Sequence, residues 1–261
     1  MPRRSIAIAA VLGLVAVALS LGADGGDPFV GAADRSAAWC PPDMAWVPAG
    51  DFLAGASPER LELPDFVPDI PRTPRARGVR STSAYCIDRF EAPGEGSRPR
   101  AGLTWVEARA ACEESGKRLC TEDEWTKACG GPLGWLLPYG DRRVPGVCHA
   151  DVGVEGLYDK VRPAGQVTTC VSVYGVHDLE GSVSEWVEDA VPPPDPAEVQ
   201  ASDEGEQFDP ASLDADFRGV LGGTMWPGLY GFGCQARHGH PRTGPTSSDD
   251  GWRCCADPAG P

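Results

Sequence analysis

The sequence predicts an α+β fold with little regular secondary structure, held together by a disulfide-rich framework. Three observations carry that expectation. Residues 104–131, TWVEARAACEESGKRLCTEDEWTKACGG, contain two short helices written back to back. The chain holds 33 glycines and 26 prolines in 261 residues, which implies many turns and short elements. All ten cysteines lie beyond an apolar N-terminal run, and an even count in an exported chain favours disulfides over metal binding. No CxxC pair or zinc-type spacing occurs.

In chain order, Arg3 and Arg4 precede an apolar run from Ile6 to Leu21, and Gly22 and Ala23 follow it. This has the form of a secretory signal and is short for a membrane span, so residues 1–23 are expected to be cleaved. The mature chain is then periplasmic or secreted, with no stable membrane insertion; an uncleaved signal acting as a membrane anchor is the alternative. Residues 24–39 read as a flexible leader. Cys40–Gly55 places strand-like residues between Pro and Gly punctuation, as a first β-hairpin would. Residues 56–80 read as an exposed loop, and Ser83–Pro93 alternates as a strand does.

The two helices have matching start and stop signals. Thr104 stands three residues before Glu107, and Thr121 three before Glu124, the spacing of a capping box. Gly116 ends the first and Gly130-Gly131 the second. Trp105, Ala108 and Cys112 share one face of the first helix, and Trp125, Ala128 and Cys129 form the apolar face of the second. Both faces should be buried.

Beyond them, Pro138–Asp141 is a turn and Val147–Val161 a mixed loop. Val167–Asp189 reads as a β-like run followed by a Gly-punctuated polar turn. Residues 191–217 are rich in Pro, Asp and Glu and read as an acidic surface insertion. The formal charge of −15 disfavours nucleic acid and anionic membrane surfaces as partners.

Several stretches, in this order, carry a resemblance: MAWVPAGDFLAG, YCIDRFEAP, TWVEARAACEESGKRLCTEDEW, PYGD, YGVHDLEGSVSEWVED, LGGTMW and GWRC. Together they resemble the formylglycine-generating enzyme family, also called sulfatase-modifying factors, across residues 40–257 as one domain. The resemblance implies the formylglycine-generating-enzyme fold, which is similar to C-type lectins. Its oxidase members convert a sulfatase cysteine to formylglycine with copper and oxygen, the copper being held by two thiolates just after a GG[ST] motif. Soft thiolate pairs suit Cu(I). Here Gly222–Gly233, GGTMWPGLYGFG, contains no cysteine, and Cys234 stands where the family has a structural one.

The resemblance further implies disulfides Cys112–Cys254 and Cys129–Cys234. For the other six cysteines, elimination alone suggests Cys40–Cys86, Cys148–Cys170 and Cys120–Cys255. It also implies a structural calcium held by Asp178, Gly181, Val183 and Glu185, with a second site at Asp151, Val152, Asp159 and Val161, where the spacing is shorter than the family's. Trp226, Tyr230 and Phe232 occupy the segment that carries copper cysteines in active relatives, as groove lining or as plain core.

The function expected is an exported, non-catalytic scaffold stabilised by calcium and disulfides, binding a peptide or protein ligand. The alternative is a copper-dependent oxidase with displaced thiolates, for which Cys254 and Cys255, with Thr224 at the family's Ser/Thr position, are the catalytic candidates; copper belongs only to that reading. A three-histidine iron site, as in some relatives, is poorly served, since His149, His177, His238 and His240 are scattered except for the HGH pair; His238 and His240 are close enough to share a metal, but two close histidines on a polar loop more often face solvent. There is no GxSxG elbow for triad chemistry.

Overall fold

Two threonines start the two helices, each by closing a capping box. Thr104 caps α1 (Trp105–Glu114), accepting from the Glu107 backbone N–H while Glu107 accepts from the Thr104 N–H. Thr121 and Glu124 repeat this at the start of α2 (Glu122–Gly130). Gly116 follows the last turn of α1 at φ 72°, a conformation that glycine adopts without a Cβ penalty. The structure, a computed structural model, describes residues 39–55, 77–149, 161–193, 216–222, 233–235, 237–243 and 248–260.

The strands are β1 (Met44–Val47), β2 (Gly50–Ala54), β3 (Gly78–Thr82), β4 (Tyr85–Asp88), β5 (Arg118–Leu119), β6 (Ser184–Ala190), β7 (Phe217–Leu221), β8 (Arg237–Pro241), β9 (Asp250–Gly251) and β10 (Cys254–Ala256). They form a sheet of order β1-β4-β10-β5, a β2-β3 ribbon, and a second four-stranded sheet of order β8-β7-β6-β9. All pairs are antiparallel except β6 with β9.

Three expectations are corrected. β1 and β2 do not form a hairpin; β1 pairs with β4, and β2 with β3. Only Pro48 and Ala49 separate them, and the twist-matched two-residue turns need a positive φ that proline cannot adopt. The stretch expected as exposed loop up to residue 80 includes most of β3. The β-like run from Val167 instead folds into tight turns, closed by Cys170 N–H to Val167 O and Gly175 N–H to Ser172 O. Of the insertion expected over 191–217, residues 194–215 lie outside the described residues, as do residues 1–38.

Two large apolar clusters form most of the core, beside two small ones around Met44 and around Leu136 and Leu137. The first gathers Trp125, Ala128 and Cys129 of α2 with Val47, Tyr85, Ile87, Leu179, Val187 and Leu221. The second gathers Trp105, Ala108 and Cys112 of α1 with Leu119, Trp186, Val220 and Trp252. The buried indoles are satisfied, Trp105 donating to Val187 O and Trp186 to Leu103 O. β10, inside the first sheet, divides the clusters: successive side chains of a strand point to opposite faces, so Cys254 enters the second cluster and Cys255 the first.

Five disulfides close the framework: Cys40–Cys86, Cys112–Cys254, Cys120–Cys255, Cys129–Cys234 and Cys148–Cys170. α2 is buried on its polar side as well. Glu124 meets Arg118 through two hydrogen bonds of 2.8 and 2.7 Å, and Glu122 accepts from Arg237. The Lys127 ammonium donates to Pro48 O, Gly50 O and Thr82 Oγ1 at 2.7, 2.9 and 3.0 Å. Three acceptors fill the three donors that an ammonium carries.

Candidate functional site

The loop entering β6 and the start of β6 gather several buried charged groups. Asp178 and Ser182 have φ of 57° and 63°, and both are non-glycine residues held in the left-handed region. Two such residues within one loop cost free energy and mark a backbone held by its surroundings. Two backbone bonds hold it: the Asp178 N–H donates to Cys170 O, and the Ser182 N–H to His149 O.

Just past this loop Glu185, on β6, has both carboxylate oxygens engaged. Its Oε2 accepts from Trp125 Nε1 and Arg253 Nε, each at 2.6 Å, and its Oε1 accepts from Arg253 Nη2 at 2.6 Å. Arg253 is fully buried and also donates to Asp88 O and His177 O. Asp178 Oδ2 accepts from the Gly165 N–H at 2.6 Å. Glu91, fully buried, accepts from Ser182 Oγ and the Val183 N–H.

Three buried acids therefore share one guanidinium. Burial pushes the Glu91 carboxyl well above its usual range, and the neighbouring Glu185 and Asp178 push it further. Burial also raises Asp178, against the Gly165 N–H and Arg253. For Arg253, burial works against the charged form, yet Glu185, Glu91 and Asp178 together hold its pKa above the ordinary value.

This donor set suits a hard cation on the Asp178 side. Asp178 and the backbone carbonyls of Gly181 and Val183 offer oxygen only, the ligand chemistry of calcium, and the acids outnumber the guanidinium. Glu185 fits only by sharing its oxygens between an ion and Arg253. Of the second calcium set, Asp151, Val152 and Asp159 lie outside the described residues, and Val161 is a buried hydrophobic.

Thr224, Trp226, Tyr230 and Phe232 also lie outside the described residues. Glu180 borders that segment: buried, it accepts from the Gly233 N–H, and burial lifts its pKa to about 7. The catalytic candidates Cys254 and Cys255 are corrected. They are bonded to Cys112 and Cys120, and no free cysteine remains. Adjacent residues of a strand face opposite ways, so these two sulfurs cannot converge on one linear two-thiolate copper site. His238 and His240 lie on β8 rather than on a polar loop.

Sequence reading passed over Glu91, Glu180 and Arg253. The available signal was a charged residue set between Trp252 and Cys254, since an arginine flanked by core residues is buried only with a partner.

Over residues 31–258 the chain matches the Sulfatase-modifying factor enzyme 1-like domain. The bovine (Bos taurus) "Inactive C-alpha-formylglycine-generating enzyme 2" is 35% identical over 106 residues, 36% of this chain and 35% of that protein. The mouse (Mus musculus) "Formylglycine-generating enzyme" is 30% identical over 110 residues, 36% of this chain and 27% of that protein. The chain thus spans about a third of the length of the curated relatives it matches. Among solved structures, PvdO from Pseudomonas aeruginosa has a TM-score of 0.55 at 15% identity, covering 81% of this chain and 93% of that one, a likeness of fold alone. Among the described residues no helix is long and apolar enough to cross a membrane. With 31–258 matched and the α+β framework shared, this chain belongs to the sulfatase-modifying factor (formylglycine-generating enzyme) domain family.

Proposed function

We propose that this chain is a non-catalytic, exported binding scaffold of its family, with a peptide or protein segment as ligand and calcium at the Asp178 loop. One observation carries the reading: all ten cysteine sulfurs are tied in five disulfides, so the thiolate pair that Cu(I) oxidation chemistry needs has no donors. The bovine relative, whose name calls it inactive, is in keeping with it. Export is supported by the disulfide density, which belongs to oxidising compartments, and by the apolar run after Arg3 and Arg4. Calcium is supported by the buried surplus of acid around Asp178 and Glu91.

Thiol counting on the purified, non-reduced, denatured protein, with Cu(I) titrated into the folded form, tests the central claim. Zero free thiols, no tight Cu(I) uptake and no formylglycine on a sulfatase peptide are expected. Two free thiols that Cu(I) protects, or stoichiometric formylglycine, would overturn it.

A further inference from the structure

We propose that His238, His240 and Asp250 form a binding site for a divalent transition-metal ion, zinc being the ion their donors fit. The ligand atoms of the three residues all lie within 4.8 Å of one another, the one such group among the described residues. His240 Nδ1 is 2.6 Å from Asp250 Oδ2, and the two imidazole centroids are 4.8 Å apart. His238 and His240 are two residues apart on β8, so both side chains leave the same face of that strand. Asp250 comes from β9, at the other edge of the same sheet.

Two imidazoles and one carboxylate are donors of intermediate softness, matched to zinc and its neighbours rather than to calcium, which needs six to eight oxygens. Donors placed 2.0–2.2 Å from a tetrahedral ion stand about 3.4 Å apart, so this set reaches bonding geometry with side-chain shifts of about an ångström. Three protein ligands leave a fourth position for water or another ligand atom. The His240 side chain keeps 15% of its exposure, which provides an approach from solvent.

The surroundings hold the donors in place. Asp250 is fully buried, its carbonyl accepts from the Gly102 N–H, and it stands in register with Ser184 of β6. The His240 ring meets Trp186 edge-on, with centroids 5.9 Å apart. Bound zinc would clip the two edges of the β8-β7-β6-β9 sheet to each other.

The test uses the full oxidised protein, stripped with a chelator and titrated with ZnCl2 by calorimetry, calcium being kept in excess to fill oxygen sites. One zinc per chain is expected, with His240→Asn, His238→Asn and Asp250→Asn each weakening uptake at least tenfold while the near-UV dichroism stays as in the wild type. Two measurements on the wild-type protein do not depend on variants folding: CoCl2 should give the visible bands of a tetrahedral site, and zinc should protect His238 and His240 from carbethoxylation read by mass spectrometry. No stoichiometric zinc, or zinc uptake that leaves both histidines unprotected, would overturn the assignment.

Discussion

Removing the Cys112–Cys254 disulfide should cost far less than its sequence separation suggests. The bond spans 142 residues, and a lone cross-link of that size stabilises by about 5 kcal/mol in the chain-entropy model. Cys120–Cys255, however, closes almost the same loop. With it intact, freeing Cys112 from Cys254 releases only the short circuit from 112 to 120 and back through 255 to 254, about ten residues, worth about 2.7 kcal/mol. The reverse deletion, with Cys112–Cys254 kept, costs about the same. Losing both opens a larger circuit, bounded by Cys129–Cys234, and should cost about 6 kcal/mol, about 1 kcal/mol more than the two single losses together. Urea unfolding of the Cys112→Ala/Cys254→Ala protein, the Cys120→Ala/Cys255→Ala protein and the quadruple variant measures this cycle, in which the small packing losses cancel. A cost of about 5 kcal/mol for either single bond, or strict additivity, would refute the nested-loop reasoning.

Three further outcomes follow from buried charge. Arg253→Met should lower stability by about 3–5 kcal/mol because it leaves Glu185, Asp178 and Glu91 without their guanidinium, and adding Glu185→Gln should recover part of the loss in thermal melts; a loss under about 1 kcal/mol would contradict the network. Calcium at a hundredfold excess over its Kd should raise unfolding free energy by about 3 kcal/mol, and Asp178→Ala should abolish the effect; identical melts in calcium and in chelator would remove calcium from the account. Burial lowers the Lys127 pKa to about 8 from an ordinary 10.5, so between those values the unfolded chain binds more protons than the folded one, and stability gains with rising pH. Denaturant midpoints of the wild type should therefore rise relative to Lys127→Met between pH 8 and pH 10, and a flat difference would count against a desolvated ammonium.

Local chemistry was legible and long-range chemistry was not. Thr104 with Glu107 and Thr121 with Glu124 announce both helices because a capping box is complete within four residues. The partners of β1 and β2 were misjudged because strand pairing is decided by residues far along the chain, although Pro48 already argued against a tight hairpin. Lys127, Glu122 and Glu124 look solvent-facing in sequence, yet they are buried, since Arg118, Arg237, the carbonyls of Pro48 and Gly50 and the Thr82 hydroxyl meet them there. Glu185 and Arg253 are 68 residues apart and leave no periodic trace of their pairing. Likewise His-Gly-His reads as polar loop until β9 supplies Asp250.

The placement of β10 also dictates when the molecule can become a protein. In three consecutive residues, Arg253 reaches Glu185, Cys254 reaches α1 and Cys255 reaches the residue before Thr121, and this strand lies between β4 and β5. Only Cys40–Cys86 and Cys148–Cys170 can close before residue 234 has been made. Until β10 is made the first sheet lacks an inner strand, and each tryptophan-centred cluster lacks the half-cystine that β10 contributes to it. The framework is therefore locked late relative to the two helices, by residues that emerge together.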